Sequence, residues 1–146
     1  MNTQNDLPDA AAFAALRGAI LRVPYVQMLG FDVTCEATGL LGHLPFAKHL
    51  IGNPLVPALH GGVIAALLHF TAAAQLMLET QSETIPQILT CTIEYLGSPD
   101  LQDSHASATV ISQSRRFANL RASAIQPYSG KIIAAATMQF LNSPAA

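Results

Sequence analysis

Residues 61–78 carry no formal charge and consist mostly of Ala, Leu and other apolar residues, opened by Gly61-Gly62 and closed by Glu79, Thr80 and Gln81. At about 1.5 Å of rise per residue such a run makes a helix roughly 27 Å long, apolar nearly all round, which has to be wrapped on most sides. Thr71, Gln75, His69 and many alanines interrupt the apolar run, so a helix buried inside protein is expected rather than a lipid-facing span. The central helix is placed at 61–80.

Most of the chain after Pro86 alternates with the period of two that marks a half-buried strand. Leu89, Cys91, Ile93 and Tyr95 alternate with Thr90, Thr92 and Glu94. Ala106, Ala108 and Val110 form a second apolar set, Ala118, Leu120, Ala122 and Ala124 a third, and Ile132, Ala134, Ala136, Met138 and Phe140 a fourth. These predict four antiparallel strands within 88–141, and their alanines let the helix approach closely. Upstream, Phe13, Leu16 and Ile20 predict a helix over 9–22 that stops at Pro24. Leu29 to Glu36 and Leu40 to Phe46 predict a hairpin turning at Thr38-Gly39, and Lys48 to Leu59, with Pro54 and Pro57, reads as a long loop. The expectation is one α+β domain, 1–146, with about six antiparallel strands around one hydrophobic helix.

Composition narrows the function. With 51% hydrophobic and 11% charged residues the chain is no disordered segment. Only seven Lys and Arg at a net charge of −2 make nucleic-acid binding a poor fit. The charged fraction is less than half the roughly 25% of an ordinary domain, which implies surface hidden between subunits of a homodimer or homotetramer. Cys35 and Cys91 suit neither a disulfide framework nor a metal motif and read as small buried hydrophobes in a reducing compartment. Asp6 and Asp9 precede any basic residue, the wrong order for a secretory signal. A cytoplasmic location is expected, with no membrane partner. His43, His49 and His105 lack paired ligand spacing, so no metal site is expected.

The segment from Ala58 to Leu68, A-L-H-G-G-V-I-A-A-L-L, preceded by Gly52-Asn53-Pro54 and followed by Ile93-Glu94-Tyr95-Leu96-Gly97-Ser98-Pro99, resembles the hot-dog fold thioesterases of the phenylacetate-pathway type. The likeness extends through Val23-Pro24-Tyr25 and Leu29-Gly30 to nearly the whole chain. It implies a hot-dog fold and hydrolysis of an acyl-CoA thioester at a subunit-interface site, with coenzyme A as part of the substrate and no separate cofactor. A thioester carbonyl becomes an oxyanion on attack, and backbone N–H groups at a glycine-rich helix start stabilise that charge. The resemblance assigns that role to Gly61, with Gly62 beside it, and gives His60 and Asn53 the task of holding the site.

The family carries an acidic nucleophile or base nine positions after this histidine; here His69 stands there. A neutral imidazole is a competent base for water near neutral pH, and the other reading is a buried helix histidine in a module that binds acyl thioesters without cleaving them. Thr90 and Thr92 are candidates for the substrate-facing strand, and Arg115 and Arg116 for the phosphates of coenzyme A. His49-Leu50-Ile51-Gly52-Asn53-Pro54-Leu55-Val56-Pro57 also resembles the loop of hot-dog hydroxyacyl dehydratases, whose helix glutamate is replaced here by Val63. The strand at 88–96 is expected to pair edge to edge with its mate in a second subunit.

Overall fold

In the computed structural model, which describes residues 8–142, the uncharged run forms one unbroken helix over Gly61–Thr80. In chain order the elements are α1 (Ala10–Leu21), α2 (Pro24–Leu29), β1 (Asp32–Glu36), β2 (Gly39–Leu44), a single 3-10 turn (Lys48–Leu50), β3 (Ile51–Asn53), β4 (Ala58–Leu59), α3 (Gly61–Thr80), β5 (Ile88–Tyr95), β6 (Ser104–Gln113), β7 (Phe117–Gln126) and β8 (Lys131–Leu141). Six strands form one antiparallel sheet in the order β1-β2-β6-β7-β8-β5, and β3 pairs with β4. The sheet wraps α3, packing on it through β2, β6, β7 and β8. This is the hot-dog α+β architecture.

Twelve of the twenty α3 residues are buried. Ile64, Leu67 and Leu68 lose all contact with solvent, each contributing about 1.5–3 kcal/mol. The facing alanines Ala118, Ala122, Ala124 and Ala134 are equally buried and admit the helix. Contact is closest at β2, where a Cβ on Gly42 would collide with the Thr71 hydroxyl and come within 3.1 Å of Phe31. That hydroxyl donates to the Leu67 carbonyl at 2.7 Å, which keeps a fully buried threonine satisfied. α1 is capped by the Asp9 carboxylate, which accepts from the Ala11 N–H, and is tied to β1 by a two-pronged Arg17–Asp32 pair at 2.8 and 2.7 Å. The guanidinium beside it holds the Asp32 carboxyl below its ordinary range.

Several local expectations need correction. Pro24 ends α1 but also begins α2, because proline suits a first helical position; α2 then stops at Gly30, whose φ of 75° is left-handed. The supposed loop from Lys48 to Leu59 holds the 3-10 turn and the β3–β4 pair. β5 lies at an edge of the sheet beside β8, although it precedes β6 in the chain. Ile133, not Ile132, points into the core, since a bulge skips Ile133 between the pairs Ala124–Ala134 and Ile125–Ile132 and reverses the alternation. A second bulge at Leu89 leaves that residue exposed and turns Ile88 toward the core. Cys91 is exposed on the β5 edge and Cys35 half-buried, so neither is a core residue.

Candidate functional site

The N-terminus of α3 resolves into a small set of hydrogen-bond donors. A helix start leaves four backbone N–H groups without helical partners. Here the Gly62 N–H donates to Nδ1 of His60 at 3.0 Å, while those of Val63 and Ile64 donate to the His60 carbonyl at 3.0 and 3.3 Å. Among the described residues the Gly61 N–H has no acceptor. It is the one donor left facing outward, where the helix dipole favours negative charge. Because Nδ1 of His60 accepts, its ring proton sits on Nε2, and the residue is exposed.

His60 itself is gripped from behind. Its backbone N–H donates to the Leu50 carbonyl at 2.9 Å, and Gly52 lets β3 pass so close that a Cβ there would meet the His60 Cα at 2.9 Å. Leu59 donates to the Pro99 carbonyl at 3.1 Å. The segment carrying Pro99 is fastened by the buried Gln126, whose amide accepts from the Asp100 N–H at 3.0 Å and donates to the Asp100 carbonyl at 2.8 Å. From β5, the Tyr95 hydroxyl donates to the Gly61 carbonyl at 2.8 Å.

Gly62, Ala65 and His69 stand at i, i+3 and i+7, one face of the helix, and these positions are less covered than those around them. His69 lies against Phe70 and Phe140, with ring centroids 4.8 and 5.9 Å away, and its Nε2 is buried with no hydrogen-bond partner among the described residues. Burial disfavours the charged imidazolium and pushes the ring below its usual value of 6.5. Eight residues separate it from Gly61, about 12 Å along the axis.

The other candidates are scattered. The Asn53 side chain accepts from the Leu55 N–H at 2.9 Å in a local turn. Cys91, Ile93 and Tyr95 pair with the buried Met138, Ala136 and Ala134, so that side of β5 faces α3. Thr90 and Thr92 consequently face the other way, with Thr92 lining a 240 Å³ depression beside Glu94, Arg121 and Thr137. Arg115 and Arg116 occupy the β6–β7 turn, exposed beside Asn142; β8 runs from the Tyr95 end to that turn, about 24 Å at strand rise. The His49 ring donates to the Met28 carbonyl at 2.7 Å, a tie to the end of α2, and Val63 is a core residue. Among the described residues no three His, Cys, Asp or Glu side chains cluster as metal ligands. The residue that sequence reasoning did not single out is Tyr95: it is legible as a strand tyrosine, but its partner lies 34 positions away.

The acyl-CoA thioesterase N-terminal domain family matches residues 53–141, from Asn53 to the end of β8. The chain belongs to this family. The thioesterase match thus takes in the helix start, His69 and the whole of β5 to β8. Among solved structures, a Bordetella protein from the thioesterase superfamily aligns with a TM-score of 0.83 at 21% identity, over 92% of this chain and 100% of that one. A phenylacetic acid degradation-related protein from Ralstonia eutropha aligns at 0.73 and 18% identity, over 90% and 99%. A Bacillus halodurans protein crystallised with CoA aligns at 0.62 and 20% identity, over 68% of each chain. No curated protein matches the sequence.

Proposed function

We propose that this thioesterase-family protein hydrolyses an acyl-CoA thioester in a site shared by two copies of the chain in the cytoplasm. The observation that carries the reading is the Gly61 N–H, which has no acceptor among the described residues, placed at the start of a 20-residue helix inside the thioesterase-family segment. Since His69 lies about 12 Å further along the same helix, the base for this carbonyl is His69 of a second copy, joined across the exposed β5 edge. In the reaction, His69 takes a proton from water as the oxygen attacks the thioester carbon. The C=O electron pair moves onto the oxygen, stabilised by the Gly61 N–H. Collapse breaks the C–S bond, and the imidazolium returns its proton to the departing thiolate. His60 and Asn53 orient the acyl end, and Arg115 or Arg116 meets the coenzyme A phosphates.

A panel of acyl-CoA substrates followed by thiol release tests this. The wild type should turn over at least one substrate, with His69→Ala lowering kcat by about 10²–10⁴-fold and His69→Asp keeping part of the activity. Coenzyme A binding without turnover of any substrate would instead identify a non-catalytic acyl-thioester binding module.

A further inference from the structure

The peptide unit joining Gly61 to Gly62 is held at both ends. Its N–H donates to Nδ1 of His60 at 3.0 Å, and its carbonyl accepts from the Tyr95 hydroxyl at 2.8 Å. A helical carbonyl already receives one bond from within the helix, so the tyrosine occupies its second lone pair. The ring also packs against the helix start: a Cβ on Gly61 would sit 3.4–3.5 Å from the Tyr95 Oη, Cε1 and Cζ. The tyrosine is in turn held firmly. It pairs with Ala134 on β8, and the next two residues, Leu96 and Gly97, both donate to the Ile133 carbonyl, at 2.9 and 3.3 Å, at the bulge.

We infer that Tyr95 is a positioning residue of the reaction: by fixing the Gly61–Gly62 peptide it sets the direction of the neighbouring Gly61 N–H toward the developing oxyanion. This rests on the hydrolytic reading above. The two peptide planes meet at the Gly61 Cα, and glycine is the residue whose backbone swings most freely. The peptide carrying the Gly61 N–H is held at its carbonyl by the Val63 and Ile64 N–H groups, and the Tyr95 brace on the other side of the Gly61 Cα narrows the freedom that two glycines leave; preorganised direction is what an oxyanion donor supplies. The brace comes from the sheet, so the donor is tied to the rigid body of the protein and not only to its own first turn. Tyr95 touches no reacting atom in this arrangement.

The test is Tyr95→Phe, which keeps the ring and removes the hydroxyl, made in the full chain. With the best acyl-CoA of the panel, kcat should fall by about fivefold, the equivalent of one ordinary hydrogen bond, with KM within about twofold. Amide hydrogen exchange at Gly62, followed by NMR on the labelled protein, should speed up by a similar factor while Leu67 and Phe70 keep their protection. Unchanged kcat would overturn the inference. So would a lower kcat with unchanged exchange at Gly62, which would put the hydroxyl on the substrate instead of on the peptide. If the wild type hydrolyses nothing, the functional reading fails separately, and exchange at Gly62 alone decides whether Tyr95 braces the peptide.

Discussion

Replacing His69 by Phe should make the protein more stable while abolishing hydrolysis. Nε2 of His69 is buried without a partner among the described residues, and an unsatisfied buried polar atom costs about 1–3 kcal/mol. The ring lies between Phe70 and Phe140, inclined to them by 33° and 18°, so a second flat aromatic keeps those contacts. Allowing for the larger ring, the net gain should be about 1–2 kcal/mol, or about 3–7 °C in Tm for a chain of this size. The gain should also depend on pH. Burial lowers the folded-state value of His69 from its ordinary 6.5, so below that pH the unfolded chain binds a proton that the folded chain refuses. Wild-type stability therefore declines as pH falls from about 6.5 through the lower folded value, whereas the variant has no such loss. Urea titrations at pH 8.0 and 5.5 measure both effects. A variant less stable than wild type at pH 8.0, with a difference that does not grow at pH 5.5, would refute the reasoning and show that Nε2 has a partner in the assembled protein.

Gly61→Pro should leave α3 intact, because proline suits the first helical position and the preceding His60 already has the extended backbone that proline requires (φ −62°, ψ 132°). It removes the one free N–H, so kcat should drop by about 10²–10³-fold with an unchanged far-UV spectrum. Gly42→Ala should destabilise the fold by about 2–4 kcal/mol in urea, combining overpacking against Thr71 and Phe31 with disturbance of the Thr71–Leu67 bond. Gln126→Leu strips both backbone partners from Asp100 and should cost about 2 kcal/mol, with a loss of kcat/KM as the Pro99 segment loosens its hold on Leu59.

The parts of this fold written in local periodicity were readable in advance. The α3 run and the alternating alanines of β7 needed no tertiary information, since their neighbours in sequence share their environment. The H-G-G start was readable too, because the bonds that cap it, from the Gly62, Val63 and Ile64 N–H groups to His60, run within four residues. What escaped was set by contacts distant in sequence or by single-residue slips. The Ile133 bulge exchanges two isoleucines that no propensity distinguishes. The placement of β5 beside β8 is set by pairing between strands distant in sequence, which no local pattern records. Pro24 carries two meanings, a stop and a start, and only packing selects both. Tyr95 reaches Gly61 through a turn of the sheet, which no spacing rule encodes.

The helix also fixes a length. Gly61 and His69 ride on one rigid rod, so their separation is a whole number of residues and cannot be adjusted by loop movement. One residue inserted between them would advance His69 by about 1.5 Å and swing it through about 100°, off the stripe it shares with Gly62 and Ala65. The connection between α3 and β5 joins the same elements without entering this measure. Changes of length should therefore be tolerated after Gln81 and lethal to activity between 61 and 69, which makes α3 the gauge against which two half-sites are cut.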